Sequence, residues 1–201
     1  MKIKSSLCLA LAFTLASPTV ALAQFSDSYN FLKAVRDKDG AKVTEITGKP
    51  GSTIVNTRDR STGETALHIV TQRRDIAWLD FMLAKGANPN LTDNEGTTPL
   101  MLATRLRFVE GAEKLIAGGA QVDKTNNSGE TPLIRAVQLR DMPLIRLLVS
   151  KGANPNKADA LAGMSARDYA VRDGRSQTII DILDSANKKA KPQGPVQGPV
   201  F

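Results

Sequence analysis

Apolar residues along this chain fall into pairs of short helical stripes rather than alternating runs. Leu67 and Val70, Leu100 and Ala103, and Leu133 and Ala136 are each three positions apart, the spacing that puts two side chains on one helix face. An apolar pair follows each stripe: Met82/Leu83, Leu115/Ile116 and Leu148/Val149, with Ile182/Leu183 closing the series. The first three pairs are 33 residues apart and the last follows after 34, so each period is read as two helices. Thr98-Pro99 and Thr131-Pro132 mark the start of the first helix. The threonine oxygen can cap, and proline at the first helical position loses no needed N–H. Asp75 and Asp141 are placed to cap the second helix, and Gly86, Gly119 and Gly152 to end it in the left-handed conformation. Asn94-Glu95-Gly96 and Asn127-Ser128-Gly129 read as tight turns between units. The first helix is only about two turns long, below the ~12 to 15 residues an isolated helix needs. Its neighbours must hold it.

The period is marked twice. Gly63-Glu64-Thr65-Ala66-Leu67-His68, Gly96-Thr97-Thr98-Pro99-Leu100 and Gly129-Glu130-Thr131-Pro132-Leu133 recur at 33 residues, and so do Gly86-Ala87, Gly119-Ala120 and Gly152-Ala153. A unit of this length with a Thr-Pro-Leu-His type start resembles the ankyrin repeat. The resemblance implies an all-α solenoid of about five stacked helix-turn-helix units with β-turn fingers, over residues 24–187. The units are taken as about 28–60, 61–93, 94–126, 127–159 and 160–187. No unit carries every consensus residue: Ala66 stands for the proline, and Met101 and Ile134 for the histidine. The first unit is degenerate, with Phe31 to Val35 on one short helix and Ala41 to Ile46 on another. The loop at 48–52 after it is longer than later ones, either a surface excursion or part of a binding edge. The last unit has one extra residue near Ala160-Leu161-Ala162, and Ser165-Ala166-Arg167-Asp168 replaces the signature. With Arg167 at a leucine position, this unit reads as the C-terminal cap.

The ends differ in kind from the repeats. Lys2 and Lys4 precede an apolar run from Leu7 to Ala16, and Ala21-Leu22-Ala23 precedes Gln24, the three-part pattern of a secretory signal peptide. The run is shorter than the ~20 residues of a spanning helix. Cleavage after Ala23 is expected, with the periplasm as destination and secretion as the alternative. Cys8 lies in the removed segment, so neither disulfides nor thiol chemistry is expected in the mature chain. Residues 188–201 end in a Gly/Pro-rich run without helical or alternating period, read as a disordered tail. The formal charge is +7, but five lysines belong to the two ends; without them 22 basic residues face 20 acidic ones. So balanced a body excludes a nucleic-acid footprint.

The chemistry available is sparse. His68 is the one histidine, and no Cys-His pair, zinc cluster or Ser-His-Asp set can be built. It matches the family's structural histidine, which implies a bond to the turn of an adjacent repeat rather than a general base. Glu64, Asp93, Glu95 and Glu130 fall on fingers and are expected to be solvated; Trp78 is read as packing. No catalytic residue, cofactor or metal is assigned. The resemblance implies a non-enzymatic module, taken as a monomer, that binds a protein partner through the concave face. By phase, the exposed first-helix positions are Gln72/Arg73, Arg105/Leu106, Gln138/Leu139 and Arg172/Asp173. Gln72, Arg73, Arg105, Leu106, Gln138, Leu139 and Arg172 form the candidate contact set. Leu106 and Leu139 are either scattered surface leucines or a contact patch. The competing reading is surface association, with Lys188, Lys189 and Lys191 tethering the fold to anionic lipid or polymer.

Overall fold

The structure, a computed structural model, describes residues 18–49, 51–174 and 177–190, with side chains from Asp27 to Ala186. Most of the expected signal segment and most of the expected tail lie outside the described residues. Among those described, the chain forms ten α-helices, one 3-10 turn at Ile54–Asn56 and a single antiparallel bridge between Ala158 and Ser165. In chain order the helices are α1 (Pro18–Arg36), α2 (Gly40–Thr47), α3 (Ala66–Gln72), α4 (Ile76–Ala84), α5 (Pro99–Arg105), α6 (Val109–Ala117), α7 (Pro132–Gln138), α8 (Met142–Ser150), α9 (Ala166–Asp173) and α10 (Gln177–Ala190). They pair as five hairpins. Two ends differ from the sequence expectation. The first helix is long, so the expected cleavage point after Ala23 falls within α1. The last runs to Ala190, so Lys188 and Lys189 are helical rather than part of a tail.

The hairpins stack in two layers. First helices α1, α3, α5, α7 and α9 touch in that order, and second helices α4, α6, α8 and α10 form the adjoining row. The first layer is the more deeply buried because it has neighbours on more sides. Every residue of α3 except Gln72 is buried, and Leu67, Leu100 and Leu133 are inaccessible. Ala103, Ala136 and Ala170 occupy the next turn of α5, α7 and α9, where a small side chain lets backbones approach. In the second layer Met82, Leu115, Leu148 and Leu183 are buried while their partners Leu83, Ile116, Val149 and Ile182 are only partly covered. The apolar pair thus divides between core and rim.

The first four hairpin turns close the first helix in the same way. At the end of α3 the Arg74 N–H donates to Thr71 O and the Asp75 N–H to Val70 O. This is the paired closure that satisfies the last carbonyls of a helix. Asp75 then caps α4 by accepting from Trp78 N at 3.2 Å. The residue that closes one helix therefore opens the next. α1, α5 and α7 end by the same bond pattern. Asp39 and Asp141 repeat the cap, whereas Phe108 gives α6 none.

The fingers form a ladder of their own. Asn94 N donates to Thr62 O, Asn127 N to Glu95 O and Ala160 N to Ser128 O. Gly96 shows why glycine is needed: φ is +76°, and a Cβ there would sit 2.6 Å from Asn127 N.

Leu133→Ala is expected to cost ~2 to 5 kcal/mol and to lower or broaden thermal unfolding, because it empties a fully enclosed site between hairpins. Leu161, 82% exposed on the last finger, serves as comparator. Leu161→Ala should stay within about 0.5 kcal/mol by the same measurement.

Candidate partner-binding surface

His68 ties one hairpin to the next. Its Nδ1 accepts from Thr65 N at 3.1 Å, so the proton sits on Nε2, which donates to Thr97 O at 2.9 Å. Burial pushes the imidazole below its ordinary value of 6.5, against the Thr97 bond and the charges of Asp93 and Glu64. A buried neutral ring bonded at both nitrogens is a strut between fingers, as the resemblance implied.

The fingers are less uniformly solvated than expected. Glu95 projects into solvent, Glu64 and Asp93 are half-buried, and Glu130 is only 6% exposed. Glu130 is enclosed because Arg135, five residues on, reaches back to it at 2.8 Å. In the last finger Asp159 is also buried. Its carboxyl lies below the usual range: burial works against the charge, but the Tyr169 hydroxyl at 2.6 Å and the Ala162 N–H at 2.7 Å outweigh it. Neither pair was legible in advance, since each joins residues whose spacing has meaning only once the finger folds back on the helix.

The candidate contact residues gather at the loop end of the first helices but are not equally exposed. Gln72, Arg105, Gln138 and Arg172 are exposed. Arg73 is not free: it is half-buried, donates to Val35 O at 2.6 Å and to Arg36 O at 3.1 Å, and lies over the Trp78 ring. Leu106 and Leu139 are corrections as well. Both are half-buried helix-ending residues, Leu106 packs against the core, and Leu139 O accepts from Arg107 at 2.8 Å. The helical phase placed them one step too far towards solvent, because the closing turn tightens there. Arg172 stacks 4.9 Å from the Tyr169 ring centre, beside a cleft of about 590 Å³ that Val137, Gln138, Arg140 and Asp173 complete. Trp78 meets Phe81 edge to face at 5.4 Å and is packing, as expected.

Stacked helical hairpins with a finger ladder define a helical-repeat solenoid. A family model of ankyrin repeats (three copies) matches residues 31–126 and 108–192, and the chain belongs to the ankyrin-repeat family, whose repeats are generally protein–protein interaction modules. No curated protein matches the chain. Among the described residues no helix is long and apolar enough to cross a membrane. No cluster of three or more His, Cys, Asp or Glu able to hold a metal ion occurs among them either.

The His68 strut makes stability pH-dependent. An unfolded imidazole takes up a proton near 6.5, whereas the folded one resists to lower pH. The strut's contribution is complete above that value and is lost as pH falls below it. Thermal melting of the parent should therefore decline from about pH 7 to about pH 5. His68→Gln should melt lower at neutral pH and show a flatter profile across the same window.

Proposed function

We propose that the chain is an exported, non-enzymatic binding module that recognises a partner protein through the concave, first-helix side of its stack. The observation that carries this is the row of long polar side chains on successive first helices. Gln72, Arg105, Gln138 and Arg172 are exposed, although most of α3, α5 and α7 is consumed by packing. Side chains that do nothing for the core, set side by side on rigid elements, are what a recognition surface requires. The Arg172–Tyr169 stack and the adjoining cleft add an aromatic and cationic anchor.

The proposal that the module acts outside the cytoplasm rests on the N-terminal pattern alone. Intact-mass measurement on extracytoplasmic material should give a chain beginning at Gln24. A retained Met1 would sink that part of the reading.

Affinity capture with the chain from Gln24 onward tests the surface. Arg105→Glu with Arg172→Glu should abolish recovery of the partner while circular dichroism and melting stay nearly unchanged, since exposed changes usually cost within about 0.5 kcal/mol each. Equal recovery by both forms would place the contact elsewhere. Replacing Lys188, Lys189 and Lys191 together by Gln, which leaves α10 in place, should leave recovery unchanged. Loss of all binding in that triple variant would favour tethering by the tail.

A further inference from the structure

The first helices of four successive hairpins close in the left-handed conformation on a cation. Lys38, Arg74, Arg107 and Arg140 have φ of 59°, 54°, 54° and 52°. Second helices solve the same problem with Gly86, Gly119 and Gly152, at φ of 82°, 92° and 88°. A long side chain is strained at such angles and glycine is not. The chain thus repeats a costlier residue where its own adjacent turns use the cheaper one, which marks a retained purpose.

Part of that purpose is internal, since each cation reaches forward to the following hairpin. The outer two find carboxylates: Lys38 pairs with Asp75 at 2.7 Å, and Arg140 with Asp173. The middle two do not. Arg74 is exposed, 3.5 Å from Arg107 O and over the Phe108 ring, while Arg107 is exposed and bonds Leu139 O. Neither has a carboxylate partner among the described residues: Asp75, next to Arg74, is taken by Lys38 and by the α4 cap. The repeat shows what Arg74 lacks: Lys38 reaches the cap aspartate of the next hairpin, Asp75, but Phe108 stands at that position ahead of Arg74. Ahead of Arg107 the cap Asp141 is present, and Arg107 bonds Leu139 O instead. Phe108 turns inward against Gly111, where a Cβ would lie 2.2 Å from its ring. Across 72–75, 105–108 and 138–141 there are five arginines and two aspartates. Both aspartates are occupied as helix caps.

We propose that this ridge, centred on Arg74 and Arg107, docks an acidic, extended segment of the partner protein, whose carboxylates give the two arginines the pairing they lack. The inference rests on the protein-binding reading above and gives the partner its chemistry. Guanidinium groups match carboxylates in a two-point fork. Adjacent helices lie roughly 8 to 10 Å apart, and a segment in the extended polyproline II conformation has three residues per turn at about 3.1 Å each. Acidic residues at every third position of the partner then share one face about 9 Å apart, in register with successive arginines.

The test is fluorescence anisotropy at low salt with a short labelled peptide bearing Glu at every third position in a Gly/Ser background. The Gln version is the control. The parent should bind the Glu peptide and not the Gln peptide. Arg74→Gly with Arg107→Gly, which relieves the strained angles and should melt no lower, should weaken binding about tenfold. Arg74→Asn with Arg107→Asn, also compatible with a left-handed angle, should give the same loss and covers the case in which the glycine pair folds poorly. Unchanged affinity in both pairs overturns the ridge. So does tighter binding, through the same arginines, of a thymidine oligonucleotide or of phosphatidylglycerol vesicles. A captured protein partner held equally by the parent and the glycine pair overturns the ridge while leaving protein binding intact, whereas capture of no protein removes the reading beneath it.

Discussion

Every level of this structure depends on the mutual burial of first helices too short to stand alone. In α3, α5, α7 and α9, seven or eight residues cannot offset the entropy of helix formation in water. Leu67, Leu100 and Leu133 reach zero exposure only because a hairpin stands on either side. Burial of each such leucine supplies roughly 1.5 to 3 kcal/mol, given to the pair of neighbours rather than to the helix itself. Stability is therefore a property of contacts between units, as in a one-dimensional array. The polar struts follow from this. His68 reaching Thr97, and Lys114 reaching Asp80 at 2.8 Å, each join a residue to its counterpart region one repeat away.

That constraint also explains why the surface can vary. Once the core is assigned to a few positions per unit, the residues at the loop end of each first helix are free of packing duty. Gln72, Arg105, Gln138 and Arg172 use that freedom fully; Arg73, Leu106 and Leu139 are drawn half inward by the turn that follows them. The boundary between scaffold and surface runs between adjacent residues of one helix end, so a single step of phase decides whether a side chain faces solvent or packs.

The sequence made the periodic features legible because each has a local cause repeated at fixed spacing. Threonine and aspartate caps, the glycines that end second helices, and the buried leucines all lie where the period puts them. Features that join a unit to itself in a non-repeating way were not legible. Glu130 with Arg135 and Tyr169 with Asp159 need the folded finger to bring them together. The long reach of α1 and α10 lies where the repeat gives no template. The left-handed cations were readable in principle: Arg74, Arg107 and Arg140 keep the 33-residue spacing. They were hidden because arginine carries no expectation of that backbone conformation.

The finger ladder has a direction. Each finger gives an N–H to the one before it and offers a carbonyl to the one after. Among the described residues no finger precedes the first, and its corresponding donor, Ser61 N, is instead taken by Asp59 at 2.9 Å; Asp59 is itself held by Arg36 at 2.8 Å. The array therefore has a closed head. A unit duplicated in the interior brings one donor and one acceptor and leaves the count balanced, while a unit added ahead of Asp59 meets an edge whose donor is already spent. An interior insertion therefore conserves the ladder, whereas one ahead of Asp59 has first to break the Ser61–Asp59 bond.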